Sequence, residues 1–228
     1  MPGTYPRTES DEYEVGREDV TQAALEVIEA VEKGSGGRPS EPSRSSETSQ
    51  TKSISHSELK SHRAELNKPT PNTTYQVMNA TGTLSAQYKT DGLGRTTEVV
   101  VKAAPGIVDS RHGERIPKVR ENFPPEGRDK RLQSEIGKQG LKGDVGFHLV
   151  AAAIGGIPNA INLVSGSGVL NNRDYATAEF VHQLQMIKGL GTDTKISVQY
   201  DGENPRPVSF RWEMQNSFFV ADIDMPNE

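Results

Sequence analysis

The chain has 228 residues, a formal net charge of −5 and only 32 % apolar residues, so we expect one folded domain together with a polar portion outside it. The absence of cysteine excludes disulfides, Cys-ligated zinc, iron–sulfur clusters and a thiol nucleophile. No apolar run approaches ~18 residues and residues 1–20 are acidic and polar, so neither a transmembrane helix nor a cleavable signal peptide is predicted.

Residues 1–33 form an acidic arm that carries nine acidic and three basic side chains. Within this arm, residues 19–33 place apolar side chains at helical spacing and are followed by Gly34, which predicts a short helix. Two interpretations stay open for this helix. It is either a marginal helix in a disordered arm or a docking helix for a secretion carrier or chaperone.

Residues 34–68 are rich in Ser, Gly, Pro and charged side chains and have few large apolar ones. Such a segment buries too little surface to offset the entropy lost on ordering it, so we predict a flexible linker. The folded domain is therefore expected over residues 69–228.

The domain is predicted to begin with strands. Strand-like segments cover 74–77 and 85–89, and a β-branched alternating segment covers 95–102. Residues 103–142 are irregular and basic, with nine Lys and Arg against six acidic side chains, and long loops of this kind are often functional. Three of its basic side chains are candidates for phosphate contacts: Arg111, Arg115 and Lys118.

The second half of the domain alternates short strands with one helix. Apolar runs at 147–154 and 161–164 precede a helix that the 3.6-residue period predicts over 171–188. Two alternating strands follow, over 194–200 and 207–215. This order of elements predicts an α+β fold.

Three side chains in this half provide the chemistry for phosphodiester hydrolysis. His148 lies in a Gly-flanked apolar run, and an imidazole accepts protons near neutral pH. Asn171 stands at the predicted helix start, with Glu179 two turns later, and their oxygens suit Mg²⁺ or Mn²⁺ and not zinc. The plainer interpretations are that Asn171 is a helix N-cap and that Glu179 is a solvated helix residue. His182, one turn further on, is expected at the helix surface.

Four segments in order resemble the DNA/RNA non-specific endonuclease family of ββα-metal (His-Me finger) nucleases, in the form found as bacterial toxin domains. They are Asp-Val-Gly-Phe-His-Leu-Val-Ala at 144–151, Asn-Leu-Val at 162–164, the Asn and Glu helix start at 170–179, and Tyr-Lys-Thr-Asp-Gly-Leu-Gly-Arg at 88–95. The similarity spans roughly 74–215. It implies a ββα-metal core with additional antiparallel strands, preceded by a disordered N-terminal arm.

The resemblance also implies roles for individual residues. His148 would be the general base, Asn171 a direct metal ligand, and Glu179 a metal ligand or an orienter of water on the metal. Asn162 and Asp144 would be structural or would orient the histidine segment. The implied cofactor is Mg²⁺ or Mn²⁺, and the implied substrate is DNA, with RNA as a further substrate.

The sequence departs from the family pattern at two positions. Many secreted members have Arg and Gly where this chain has Val145 and Phe147. Arg173 is a candidate to replace the missing phosphate contact, whereas Phe147 needs room that a glycine does not.

Two functions of different class therefore stay open. The first is a metal-dependent endonuclease that forms the toxin domain of a bacterial secreted effector, delivered by a non-classical route into the target-cell cytoplasm and neutralised by a cognate immunity protein, with no membrane partner. The second is a catalytically degenerate nuclease fold used for protein or nucleic-acid binding.

Overall fold

The computed structural model describes residues 50–79, 82–102, 129–151, 154–187, 190–218 and 220–228. The predicted acidic arm and its helix, residues 1–33, lie outside these ranges, as do the predicted phosphate contacts Arg111, Arg115 and Lys118. Among the described residues, no helix is both long and apolar enough to span a bilayer.

A seven-stranded sheet forms one layer of the domain. Its spatial order is β1-β2-β3-β4-β7-β8-β9, and every neighbouring pair is antiparallel except β1 and β2, which are parallel. The strands are β1 (Gln50–Ser55), β2 (Thr73–Met78), β3 (Leu84–Thr90), β4 (Thr96–Lys102), β7 (Asp193–Tyr200), β8 (Pro207–Gln215) and β9 (Val220–Pro226).

A strand–strand–helix unit forms the second layer. Strands β5 (Val145–His148) and β6 (Leu163–Gly166) pair antiparallel. The chain then enters a helix with three parts: α3 (Gly168–Leu170), a π-helical turn (Asn171–Tyr175) and α4 (Ala176–Ile187). Together with the sheet, this unit confirms the predicted α+β fold.

Two further helices pack near this unit. Helix α1 (Arg63–Asn67) lies before β2, and α2 (Lys130–Gly137) lies before β5. Short 3₁₀ turns occur at His56–Glu58 and Ala160–Asn162.

An aromatic cluster joins the unit to the sheet. The ring of Tyr175 lies 5.0 Å from that of Phe147, 5.5 Å from that of Phe210 and 5.1 Å from that of Trp212, all in edge-on or tilted contact. All four side chains are buried. Phe147 therefore has the room it needs, because it fills this cluster and does not crowd the histidine that follows it.

The predicted linker over 34–68 is wrong for its second part, because residues 50–68 fold. β1 adds a parallel strand to the edge of β2, and Ile54, Leu59 and Leu66 are at most 5 % exposed. Ser, Gly and Pro in the first half of 34–68 dominate the composition of the whole segment. The average composition therefore does not reveal the three well-spaced apolar residues in its second half. In the described part of the chain, the folded domain therefore includes residues from Gln50 onward.

The predicted irregular stretch over 103–142 is also wrong in part. Helix α2 occupies 130–137, where Leu132 and Ile136 are the only large apolar side chains, too few to give a periodic signal. Asp129 caps this helix by accepting a hydrogen bond from Leu132 N at 3.0 Å.

The hairpin motif at 88–95 has a structural role. Asp91 Oδ1 accepts hydrogen bonds from Leu93 N and Arg95 N, each at 2.9 Å. The guanidinium of Arg95 donates to the carbonyls of Gly202 and Asn204, each at 2.8 Å. The β3–β4 turn is thereby tied to the β7–β8 turn.

Candidate active site

His148 lies at the end of β5, opposite Leu163 of β6, and is half-buried. The chain that follows it is held by Asn162, which is fully buried. Asn162 Oδ1 accepts from Val150 N at 3.0 Å, and its Nδ2 donates to the carbonyls of Val150 at 2.9 Å and Ile157 at 2.8 Å. Both N–H donors and the oxygen of the Asn162 amide group are used to fix the loop between the two strands.

The helix is attached to the same segment through Tyr175. Its hydroxyl donates to the carbonyl of Leu149 at 2.8 Å, one residue after His148. Burial raises the pKa of Tyr175, and the nearby negative charge of Glu179 raises it further. The hydroxyl is therefore a neutral hydrogen-bond donor near neutral pH, and the carboxylate of Glu179 lies close to it.

Asn171 opens the π-helical turn and is half-buried. Its Nδ2 donates to Asn172 Oδ1 at 3.2 Å, a contact that does not involve its own Oδ1. The helix begins three residues earlier, at Gly168, so the interpretation of Asn171 as the N-cap is wrong. π-helical turns within α-helices occur frequently at functional sites.

Asn171, Tyr175 and Glu179 follow one another at intervals of four residues. This spacing places all three near one face of the helix. Because Tyr175 contacts the segment after His148, that face is turned toward the end of β5. The structure therefore brings the helix that carries Asn171 and Glu179 against the strand that carries His148.

The family model for DNA/RNA non-specific endonucleases matches residues 71–217, well over half of the chain. The chain belongs to the DNA/RNA non-specific endonuclease family. Membership of this family implies hydrolysis of phosphodiester bonds in nucleic acid.

This endonuclease chain is similar in structure to solved nucleases with which it shares low sequence identity. One is NucA from Streptococcus agalactiae with no metal bound, at 14 % identity and a TM-score of 0.44, covering 62 % of this chain and 70 % of that one. Another is Sda1 nuclease with a bound zinc ion, at 18 % identity and a TM-score of 0.42, covering 64 % of this chain and 76 % of that one. A comparison with curated proteins found no match.

The side chains that could bind a metal in this chain suit a hard cation that keeps most of its coordinated water molecules. Within the described ranges, no group of three or more His, Cys, Asp or Glu side chains is placed to hold a metal ion. The site instead offers the amide oxygen of Asn171 and the carboxylate of Glu179. Mg²⁺ prefers oxygen ligands and commonly keeps several waters, so these residues fit it.

Asp144 lies just before β5, and its side chain is 6 % exposed. Its Oδ2 accepts from Arg206 Nε at 2.7 Å and from Leu141 N at 2.9 Å. This ion pair joins the strand–strand–helix unit to the segment that enters β8. The geometry favours the predicted structural role for Asp144.

Arg173 is exposed on the π-helical turn and is paired with its neighbour. Its Nε donates to Asp174 Oδ1 at 2.7 Å and its Nη2 to Asp174 Oδ2 at 3.1 Å, contacts that raise the pKa of the guanidinium. A phosphate that binds Arg173 must compete with this carboxylate.

Two polar side chains at the site were not identified from the sequence. Gln133 of α2 lies beside the His148 ring, with its Nε2 3.3 Å from His148 Nδ1. Arg206 is the buried partner of Asp144. Neither belongs to a segment that resembles the family motif, and no other signal in the sequence points to them.

Proposed function

We propose that this chain is a metal-dependent endonuclease that hydrolyses phosphodiester bonds of DNA and RNA, with His148 as the general base. The observation that supports this most strongly is the hydrogen bond from Tyr175 to Leu149, which holds the helix of Asn171 and Glu179 against the residue after His148. Asn162 fixes the same segment from the opposite strand.

In the proposed reaction the His148 imidazole takes a proton from water. The resulting hydroxide forms a new bond to phosphorus, the bond from phosphorus to the 3′-oxygen breaks, and the leaving oxygen is protonated by solvent. Proton transfer to a positioned side chain of this kind contributes typically 10²–10⁴-fold in rate. A bound divalent cation supplies positive charge that stabilises the phosphate oxygens and the leaving group.

We propose different roles for the two metal-site residues. Eight residues of helix span about 12 Å along the helix axis, so Asn171 and Glu179 reach a common ion directly only with both side chains extended. Asn171 is therefore the proposed direct ligand, and Glu179 orients water around the ion. Mg²⁺ or Mn²⁺ is the proposed cofactor, because both ligands are hard oxygen donors.

The proposed nucleic-acid contacts are electrostatic. Arg173 is exposed on the metal-site helix, and the basic residues Arg111, Arg115 and Lys118 belong to the 103–142 stretch. Phosphate contacts supply most of the affinity of sequence-independent binding, so these side chains should contribute to affinity and to its salt dependence.

The packing of Phe147 supports the enzyme over the degenerate alternative. Phe147 is 2 % exposed and lies in contact with the rings of Tyr175 and Phe210. If Phe147 were a mark of lost function, we would not expect its side chain to pack into the core beside His148. The base, the proposed metal ligand and the loop-fixing Asn162 are all retained.

We further propose that the enzyme is the toxin domain of a bacterial secreted effector, with a cognate immunity protein as its partner and the target-cell cytoplasm as its place of action. The support is the 88–95 hairpin, which resembles the toxin subgroup of the family. Residues 19–33 are the proposed docking segment for a secretion carrier or chaperone.

Comparison of two variants tests the catalytic assignment. His148→Ala should abolish plasmid nicking at every Mn²⁺ concentration, because no metal replaces the proton acceptor. Asn171→Ala should raise the Mn²⁺ concentration needed for half-maximal nicking and recover partly at high Mn²⁺. His62→Ala, a histidine in the segment before α1, is the matched control and should nick like wild type. Wild-type nicking by His148→Ala, or equal recovery of both variants, would contradict the assignment.

A further inference from the structure

Helix α2 approaches β5 unusually closely, and two glycines permit it. A Cβ atom at Gly146 would lie 2.0 Å from the carbonyl oxygen of Gln133, and one at Gly137 would lie 2.7 Å from Gly146 N. Both distances are far inside van der Waals contact, so any side chain at either position would force the helix away from the strand. Gly146 is the glycine of the Asp-Val-Gly-Phe-His run. Because it has no side chain, α2 can pack directly against the backbone of β5.

The close approach places a polar side chain of α2 beside His148. Residues 146 and 148 share one face of β5 because side chains alternate along a strand, so the face that α2 covers is the face of His148. Gln133 extends along it, and its Nε2 lies 3.3 Å from His148 Nδ1. The start of α2 is fixed by Asp129, which caps it and pairs with Arg63 at 2.7 Å.

We propose that Gln133 is a positioning residue for the general base, an inference that rests on the proposed function of His148. After a half-turn about its last bond, the Gln133 amide presents Oε1 and accepts from Nδ1–H of the neutral ring, which leaves Nε2 unprotonated and able to take the proton from water. The same Nδ1–H bond to Oε1 persists when Nε2 becomes protonated. The neutral and protonated rings are thus held in one orientation while the proton is transferred.

Gln133→Ala and Gln133→Glu test this role through kinetics. Gln133→Ala removes the hydrogen bond and should lower kcat about 10-fold or more with little change in KM, because the ring loses its fixed orientation. Gln133→Glu places a carboxylate beside the ring, which favours the imidazolium and should move the acidic limb of the pH–rate profile to higher pH by about one unit. Gln139, exposed just after α2, provides matched controls, and its Ala and Glu variants should keep the wild-type profile.

Nitrogen NMR of the His148 ring in metal-free protein provides a readout that is independent of activity. Wild type and Gln133→Glu should show the proton of the neutral ring on Nδ1, whereas Gln133→Ala should show a mixture of both tautomers. The His148→Ala variant assigns the signal, and thermal unfolding shows that each variant is folded.

The outcomes separate the two proposals. If His148→Ala is inactive while both Gln133 variants keep the wild-type tautomer, kcat and pH profile, the role of Gln133 is overturned and the catalytic role of His148 stands. If His148→Ala nicks DNA like wild type, the proposed function fails, whereas a tautomer that follows the Gln133 substitution still supports the contact between the two side chains.

Discussion

His182 shows how the environment of one residue sets its chemistry. The ring is fully buried between α4 and β7, and its Nδ1 lies 2.7 Å from Thr194 Oγ1. In the described part of the chain its Nε2 has no hydrogen-bond partner. The expectation of a surface histidine is therefore wrong, and burial lowers the pKa of His182 to about 4.

This burial predicts a loss of stability in mild acid. The unfolded chain takes up a proton near pH 6.5 and the folded chain only near pH 4, so stability present at pH 7 is lost as the pH falls between these values. Between pH 7 and pH 5 this single group should cost about 2 kcal/mol of unfolding free energy. Urea unfolding at the two pH values checks it: His182→Asn should lose less stability than wild type over this range, and an identical loss in both proteins would contradict the prediction.

At this scale, sequence motifs indicate candidate site residues, whereas they say little about the side chains that surround them. His148, Asn162, Asn171 and Glu179 could be named because short motifs carry them in a fixed order. The burial of His182 could have been found as well, since it continues the stripe of Ala178 and Val181 at helical spacing. The contact between Gln133 and His148 could not, because it depends on how α2 packs against β5.

At the scale of elements, the segment from β1 to α1 contacts the loop that carries Asn162. This segment precedes the family match, which begins at residue 71. Asn67 Oδ1, at the end of α1, accepts from Ala160 N at 3.0 Å and from Asn159 Nδ2 at 3.2 Å. These bonds hold the 3₁₀ turn that carries Asn162. Most strands and the long helix were predictable from their periodicity, whereas β1 and α2 contain too few apolar residues to reveal a period.

Asn67→Ala should lower the free energy of unfolding by about 1–2 kcal/mol, because it leaves the half-buried Ala160 N–H without its acceptor. It should also lower kcat for nicking, since Asn162 is anchored by the same turn. Urea unfolding and nicking rates measure both effects. Lys68→Ala, at the exposed neighbouring position, is the control and should change neither; an Asn67 variant as stable and active as Lys68→Ala would rule out this role for α1.

At the scale of the whole molecule, buried polar contacts join the two layers beside the aromatic cluster. Arg206 pairs with Asp144 of the β5 segment and donates to the carbonyl of Asn227 after β9. Asn227 in turn accepts from Ser167 N at 3.0 Å, at the start of the helix that carries Asn171. The partners in these contacts lie 21 to 62 positions apart, and neither a motif nor a period marks them, so sequence patterns could not predict them.

Arg206→Met should lower the free energy of unfolding by about 3–5 kcal/mol, because it leaves the carboxylate of Asp144 buried without its partner. Adding Asp144→Asn should restore part of this loss, since the remaining buried group is then neutral. Urea unfolding of the single and double variants measures the difference. A single variant within about 0.5 kcal/mol of wild type, the range of ordinary surface substitutions, would show that the pair does not hold the layers together.

We propose that this chain hydrolyses phosphodiester bonds with a divalent metal and with His148 as the base. Nicking of a supercoiled plasmid by the full chain, with Mg²⁺ or with excess EDTA, tests it most directly. We expect open-circular and linear products with Mg²⁺, none with EDTA, and none with His148→Ala under either condition. Nicking that continues unchanged in EDTA, or equally with His148→Ala, would contradict it.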